Sequence, residues 1–255
     1  ETLLQVERLT IKLKNQNQEL VRDISFSLKE AGTITLLGQS GSGKTLTCRA
    51  ILGLLNRSAF QVDGEILFEE KSLLQLKEKE RALCYAFVPQ NPMTALDPSR
   101  KIGVQMTEFL RLHQELSKKD ALSLCEQAMV RAGLTDTKRI LNSRPYQLSG
   151  GMLQRVLIAL AIAGKARLVI ADEPTTALDA IHRDRAVEQL LKLREQGCAI
   201  LIVTHDFDVT RHMGGHVLIM KEGWMVERGS AKEVLQNPKA GYTKELIEAI
   251  HLGWG

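Results

Sequence analysis

Long apolar runs are missing from this chain of 255 residues. The longest, Val156 to Ala163, is less than half of the roughly 20 residues that a spanning helix needs, so no segment is expected to cross a membrane. The first residues, Glu1 to Val6, supply neither a basic stretch nor an apolar one, and no export signal is expected there. Cysteines number only four, Cys48, Cys84, Cys125 and Cys198, far apart and without a C-x-x-C pair. They read as buried thiols suited to a reducing cytosol rather than as a disulfide framework. The six histidines are read as forming no metal-ligand spacing such as H-x-x-x-H, so a transported metal, if there is one, is not expected to be held by this chain. A net charge of +4 is too mild to argue for nucleic acid and suits work beside an anionic leaflet. No internal repeat or low-complexity tract occurs. A chain of this length that is 44% hydrophobic can bury a sizeable core, as one large domain or two small ones.

Against these absences stands one dense stretch, Gly38-Gln39-Ser40-Gly41-Ser42-Gly43-Lys44-Thr45, which satisfies G-x-x-x-x-G-K-[ST] at every fixed position. The apolar run Ile34 to Leu37 precedes it as a buried strand would. Lys44 to Leu55 follows with Leu46, Ala50, Ile51, Leu54 and Leu55 on helical spacing. Glycines let the backbone turn its N–H groups inward, and a helix N-terminus adds positive partial charge, so the loop is an anion nest. In that setting Lys44 reaches the β- and γ-phosphates of a nucleotide and the Thr45 hydroxyl serves Mg²⁺. A glycine–serine linker would lack the flanking strand and helix.

In chain order, Leu4, Val6, Leu9, Ile11 and Leu13 alternate with polar residues, and alternation returns at Ile24, Phe26 and Leu28. These predict antiparallel strands around a turn at Asn15 to Gln18. Val62 to Phe68 predicts a short edge strand, and Leu83 to Val88 a buried one bounded by Pro89. From Asn91 to Gln147 the texture is helical, with Ser117 capping a helix over Ala121, Leu122, Cys125, Ala128, Met129 and Ala132, and a shorter helix near Asp136 to Leu141. Leu168 to Ala171 and Ala199 to Val203 read as central strands buried on both faces, joined by a helix from about Ala180 to Gln196 that Gly197 stops. Lys221-Glu222-Gly223 turns a hairpin, and Ser230 caps a short helix ending before Pro238. Alternating strands and helices predict an α/β fold with a mostly parallel sheet.

Asp172 and Glu173 follow an apolar strand, where open parallel sheets place ligands. Beside a phosphate loop, Asp172 would hold Mg²⁺ and Glu173 would polarise an attacking water. Leu148-Ser149-Gly150-Gly151-Met152-Leu153-Gln154 joins a capping serine to two glycines at the start of an apolar helix, an N-terminus with N–H donors left for an anion. A cap for its own helix accounts for Ser149 but not for two consecutive glycines, which weaken a first turn unless something must approach closely. This stretch resembles the signature of ATP-binding-cassette ATPases. The rest of that set follows in family order: the loop Gly38 to Thr45, Gln90, the signature, Asp172 and Glu173, Ala177-Leu178-Asp179, and His205.

The resemblance implies a phosphate-loop (RecA-like) NTPase core with an N-terminal antiparallel β subdomain and an inserted helical subdomain. As one cassette over 1–255, residues 1–90 and 155–236 would form the core with the β subdomain. Residues 91–154 would form the helical subdomain carrying the signature, and 237–255 a short C-terminal extension. It further implies ATP and Mg²⁺ as cofactors, with Gly38 to Thr45 binding the nucleotide and Thr45, Gln90 and Asp172 serving the metal. Glu173 and His205 would be catalytic. Ser149, Gly150, Gly151 and Gln154 would meet ATP held by a partner chain, and Asp179 would link two sites across a head-to-tail dimer. The family stacks adenine on an aromatic where this sequence has Leu13, and Phe26 is better explained as core. Aliphatic Leu13 predicts ordinary phosphate binding with weaker preference for adenine.

Motif wording resembles the oligopeptide and nickel import group, nearest to nickel or metal–metallophore import ATPases of the NikD type. The stretches 148–155, 172–179 and Val88-Pro89-Gln90-Asn91-Pro92 carry the likeness to the group, and Met152-Leu153 with Ser42-Gly43-Lys44-Thr45-Leu46-Thr47-Cys48 the finer one. It implies a second, unlike ATPase subunit, two integral membrane permeases and, indirectly, an extracytoplasmic solute-binding protein, with no nucleic acid. The chain would sit peripherally on the cytoplasmic face of the membrane. Larger peptide-importer relatives continue into a cysteine-bearing segment that can hold an iron–sulfur cluster; none is expected here. The competing reading is a soluble cassette ATPase acting on a scaffold, as in iron–sulfur cluster assembly.

Overall fold

The computed structural model describes residues 1–77, 80, 84–176, 178 and 180–252, the side chains of 113, 180, 182 and 250–252 excepted. Among them the chain runs β1 (Thr2–Leu13), β2 (Gln18–Lys29), β3 (Thr33–Leu37), α1 (Lys44–Leu52), β4 (Phe60–Phe68), β5 (Lys71–Ser72), β6 (Ala86–Val88), α2 (Ile102–His113), α3 (Lys118–Arg131), α4 (Thr137–Asn142), α5 (Gly150–Ala163), β7 (Leu168–Asp172), α6 (Ala180–Glu195), β8 (Ala199–Thr204), α7 (Phe207–Met213), β9 (His216–Lys221), β10 (Trp224–Ser230), α8 (Ala231–Gln236) and α9 (Gly241–Leu252). Two compact units divide it, one of residues 1–81 and 199–255, the other of 82–198.

In the first unit, β1 pairs antiparallel with β2 and with β4, giving an antiparallel sheet in the order β2-β1-β4-β5. Leu4, Val6, Leu9 and Ile11 are buried, as their alternation predicts. A second sheet runs β10-β9-β3-β8, parallel from β9 through β8 and antiparallel at the hairpin. All five residues of β3 and all six of β8 are buried, which suits strands covered on both faces. Glu222 and Gly223, at φ 49° and 84°, form the two-residue hairpin turn, whose backbone twist matches that of the strands. That turn is pinned: Gly223 N–H donates to the Ser42 carbonyl at 3.0 Å, and a Cβ on Gly223 would lie 2.6 Å from the Leu20 carbonyl oxygen.

The far side of this sheet is closed by the C-terminal helices. Leu37, Val217 and Ile219 pack with Ala231, Val234 and Leu246, and Phe207, Val226, Leu235 and Tyr242 border them. Glu227 ties α9 down by accepting from the N–H groups of Lys239 and Ala240 at 2.8 and 3.0 Å. Burial works against its charge, but the Thr243 side chain, those two N–H groups and the Lys239 charge outweigh it and hold the carboxyl below its ordinary value. Such a group stabilises above the unfolded carboxylate range near 4.3 and loses that contribution as pH falls through its lower folded value. Glu227→Gln is therefore expected to lower Tm by about 1–4 °C at pH 7, with the gap to the parent closing below about pH 4 in thermal melts.

In the second unit, β6 and β7 pair in parallel and α2 to α6 supply the remaining layers. Ser117 caps α3 by accepting from Asp120 N–H, and Asp136 caps α4 by accepting from Arg139 N–H. Cys125 and Cys198 are buried, which pushes both thiols up to about 12 and leaves them unreactive. Cys48 is also buried, whereas Cys84 is half-buried.

Several expectations need adjusting. The helix after the phosphate loop ends at Leu52, because Gly53 takes the left-handed conformation at φ 67°, and Leu54 is 60% exposed. β4 begins at Phe60, and over Leu67 and Phe68 it is flanked by β5 rather than being an edge. β6 spans three residues instead of six, and Leu83 lies outside the described residues. Leu122 points outward at 40% exposure. Helix α2 lies in the tract of helical texture but is not marked there as a separate element. Lys101 gives it no side-chain cap, so its start carries no signal, although Ile102, Met106 and Leu110 are buried at i, i+4 and i+8. His212 and His216 do stand four apart, but α7 ends at Met213 and Gly214 and Gly215 turn at φ 61° and 73°, so the two histidines share no helix face. No helix among the described residues is long and apolar enough to cross a membrane.

Candidate functional site

In the first unit the parallel register sets Leu37 beside Thr204, so the phosphate loop and His205 leave the same end of neighbouring strands. Gly38 is buried where a Cβ would come within 2.3 Å of the Met220 carbonyl oxygen, which admits glycine alone. Gly41 and Gly43 take φ of 80° and 101°, and at Gly41 a Cβ would meet nothing within 4 Å. The loop is thus packed at its base and open at its crest. Helix α1 starts at Gly43 with no side-chain cap and no acidic residue in its first turn, which leaves its N-terminal positive end uncompensated.

Lys44 is 5% exposed, and its ammonium donates to the carbonyls of Gly38 and Gln39 at 2.6 and 2.9 Å and to Ser42 Oγ at 3.4 Å. These bonds hold the charge within the loop itself. Gln39 and Ser40 are exposed, Ser42 is buried and Thr45 half-buried at the first helical turn. His205 is exposed, while Asp206 next to it caps α7 by accepting from the N–H groups of Asp208 and Val209. Leu13 is half-buried at the end of β1, opposite Gln18 on one side and Phe60 on the other.

In the second unit, Val88 lies beside Ala171 in the parallel pair, so Gln90 and the Asp172–Glu173 pair emerge side by side from the strand ends. Gln90 is exposed, Asp172 is 7% exposed and Glu173 is half-buried. Glu173 has φ of 48°, a left-handed conformation costing about 1–2 kcal/mol in a non-glycine residue. Sequence reasoning missed a neighbour here: Thr176 Oγ1 donates to Glu173 Oε2 at 2.9 Å. A hydroxyl three residues after a carboxylate, behind a proline, was the available clue.

Ser149 caps α5, its hydroxyl accepting from Met152 N–H at 3.2 Å, and no acidic residue sits in the first turn. At Gly150 and Gly151 a Cβ would meet nothing within 4 Å among the described residues. The two glycines are therefore not required by packing among the described residues. Gln154 departs from expectation. It is 5% exposed and its amide donates to the Pro174 carbonyl at 2.9 Å, so it is held inside its own unit, unlike the exposed Ser149 with which the resemblance groups it. Asp179 lies outside the described residues.

The family described as ABC transporter matches residues 21–176. The chain belongs to the ABC transporter family. This ABC transporter chain binds ATP and couples its hydrolysis to transport. It is 42% identical over 251 residues to the metal-staphylopine import system ATP-binding protein CntD of Staphylococcus aureus, covering 96% of this chain and 92% of that one. It is 34% identical to the oligopeptide transport ATP-binding protein OppD of Lactococcus lactis, over 98% of this chain and 76% of the relative. Among solved structures, CbiO1 of Clostridium perfringens, part of the ABC transporter complex CbiONQ, matches 99% of this chain and 95% of its own with a TM-score of 0.78 at 25% identity. A dimeric ATP-binding cassette in a post-hydrolysis state with ADP and Pi matches at a TM-score of 0.77 and 26% identity, over 90% of this chain and 99% of that one.

Were Leu13 to lie against the base of a nucleotide, as the resemblance implies, an aliphatic side chain there would forgo the roughly 0.5–1.5 kcal/mol that an aromatic partner contributes to a stacked ring. ATP and GTP are expected to bind within a few-fold of each other by fluorescent-nucleotide titration. Leu13→Tyr is expected to tighten ATP by about 2- to 12-fold.

Proposed function

We propose that this chain is the ATP-hydrolysing subunit of a binding-protein-dependent importer whose cargo is a metal–metallophore complex, nickel or a peptide. The observation that carries the two-chain mechanism is the turn 149–151, capped by Ser149, exposed at Ser149 and Gly150 and open to an approaching group at both glycines. Similarity to CntD along nearly the full length supports the choice of cargo class.

In this reading residues 1–90 and 155–236 act as the nucleotide core with its β subdomain, 91–154 as the helical subdomain and 237–255 as an extension. Gly38 to Thr45 hold the triphosphate, with Lys44 supplying a positive charge already held at the loop. The Thr45 hydroxyl, the Gln90 amide oxygen and the Asp172 carboxylate are the hard oxygen donors that Mg²⁺ prefers, and so would hold it. When bound, the ion neutralises charge developing between the β- and γ-phosphates. Glu173 takes a proton from the attacking water, and His205 orients that water beside the γ-phosphate. Ser149 to Gly151 donate to the γ-phosphate gripped by a second ATPase subunit, an unlike chain, in a head-to-tail dimer, and Asp179 links the two sites. Closure and reopening drive two membrane permeases, fed by an extracytoplasmic binding protein, from the cytoplasmic face.

Ser149→Arg is expected to leave nucleotide affinity unchanged and abolish nucleotide-dependent dimer closure, read by size-exclusion scattering. Normal closure would remove the trans role. Affinity capture of the tagged chain from detergent-solubilised membranes is expected to recover two polytopic permeases and a second cassette. Recovery of soluble scaffold proteins instead would favour a cluster-assembly ATPase.

A further inference from the structure

Glu173 occupies a backbone conformation that a non-glycine residue adopts only when its surroundings impose it. Two side chains do so from different directions. Thr176 Oγ1 donates to Glu173 Oε2 at 2.9 Å and so restrains the carboxylate directly. Gln154 donates to the carbonyl of Pro174, the next residue, at 2.9 Å and so restrains the backbone. Pro174 and Thr175 are themselves buried, and Leu178 N–H donates to the Thr175 carbonyl at 3.0 Å, which closes the turn behind them.

The position of Gln154 on its helix gives the second contact a further meaning. It lies five residues after Ser149, little more than one turn into α5, the helix whose N-terminus carries the exposed Gly150 and the half-buried Gly151. A buried amide at 5% exposure, bonded to a carbonyl that has little water to replace it, is a stiff link. The N-terminal turns of α5 and the turn bearing Glu173 are joined through a side chain and not only through packing. We propose that Gln154 and Thr176 are positioning residues for the general base, and that Gln154 makes the orientation of Glu173 depend on how the N-terminus of α5 is seated. Under the function proposed above, on which this inference rests, that N-terminus seats on the partner's nucleotide. Occupancy of one site then sets the base of the other, through a hydrogen bond within one chain.

Both residues act through Glu173, so their loss should appear in kcat and not in affinity. Misplacing a reacting group by about 1 Å costs on the order of 10²-fold. Thr176→Val, which removes the hydroxyl at nearly constant volume, is expected to lower kcat by about 10- to 100-fold with KM and fluorescent-nucleotide affinity within twofold. Thr176→Ser, which keeps the donor, should recover kcat to within about threefold. Gln154→Leu should lower kcat similarly and reduce the Hill coefficient for ATP towards 1 in the assembled transporter, with nucleotide-dependent closure retained. A fall in kcat for Thr176→Ser equal to that for Thr176→Val would overturn the carboxylate role. An unchanged Hill coefficient and kcat in Gln154→Leu would overturn the link. Should Gln154→Leu fail to fold, Gln154→Met serves the same comparison. Glu173→Gln is the control: normal hydrolysis in that variant removes the underlying reading, whereas arrested hydrolysis there with wild-type Thr176→Val and Gln154→Leu removes only this inference.

Discussion

Glu173→Gln is expected to cut ATP hydrolysis by about 10²–10⁴-fold, the usual contribution of a positioned general base, while ATP still binds. The amide keeps the shape of the side chain and its ability to accept from Thr176 Oγ1, so the left-handed turn at φ 48° survives. What is lost is the capacity to take a proton. ATP should then accumulate uncleaved in a stable two-chain complex, read as a shift to double mass in light scattering and as retained ATP by chromatography of the denatured complex. Unchanged turnover would show that another group activates the water.

Lys44→Ala should be more severe, since it removes binding and catalysis together. The ammonium is already held at the loop by the carbonyls of Gly38 and Gln39, so little ordering is needed to present it to phosphate oxygens. A hydrogen bond to a charged group contributes about 1.5–3 kcal/mol, which corresponds to roughly 10- to 100-fold in affinity. The transition state carries more charge on those oxygens than the ground state does, so hydrolysis should fall below detection. Lys44→Arg should not rescue it, because a planar guanidinium cannot fit a cradle in which the native ammonium is 5% exposed. Fluorescent-nucleotide titration with a phosphate-release assay separates the two losses.

The parts of the fold that were legible in the sequence are those in which local chemistry and burial agree. The strands β3, β7 and β8 are apolar runs because they are buried throughout, and α3, α4 and α8 begin at residues whose side chains do accept from the first turn. Helix α2 was illegible for the converse reason: Lys101 makes no cap, and a lone apolar stripe in a long helical tract does not announce where it starts. At the candidate site, phosphate-loop spacing was readable because a glycine either fits its close approach or fails. The role of Gln154 was not readable, since a glutamine beside a glycine-rich turn looks the same whether it faces outward or bonds a carbonyl 20 positions later. Pairings across such separations exist only after the strands have set their register.

Helix α9 offers a last consequence. Its Leu246 and Tyr242 lie against Leu37 and Ile219, and Leu37 is the residue from which the phosphate loop departs. A recombinant fragment trimmed at Asn237, a natural choice for anyone seeking a minimal catalytic core, would strip that cover and wet the underside of the strand. Purified material of that kind would be prone to clump and slow to turn over.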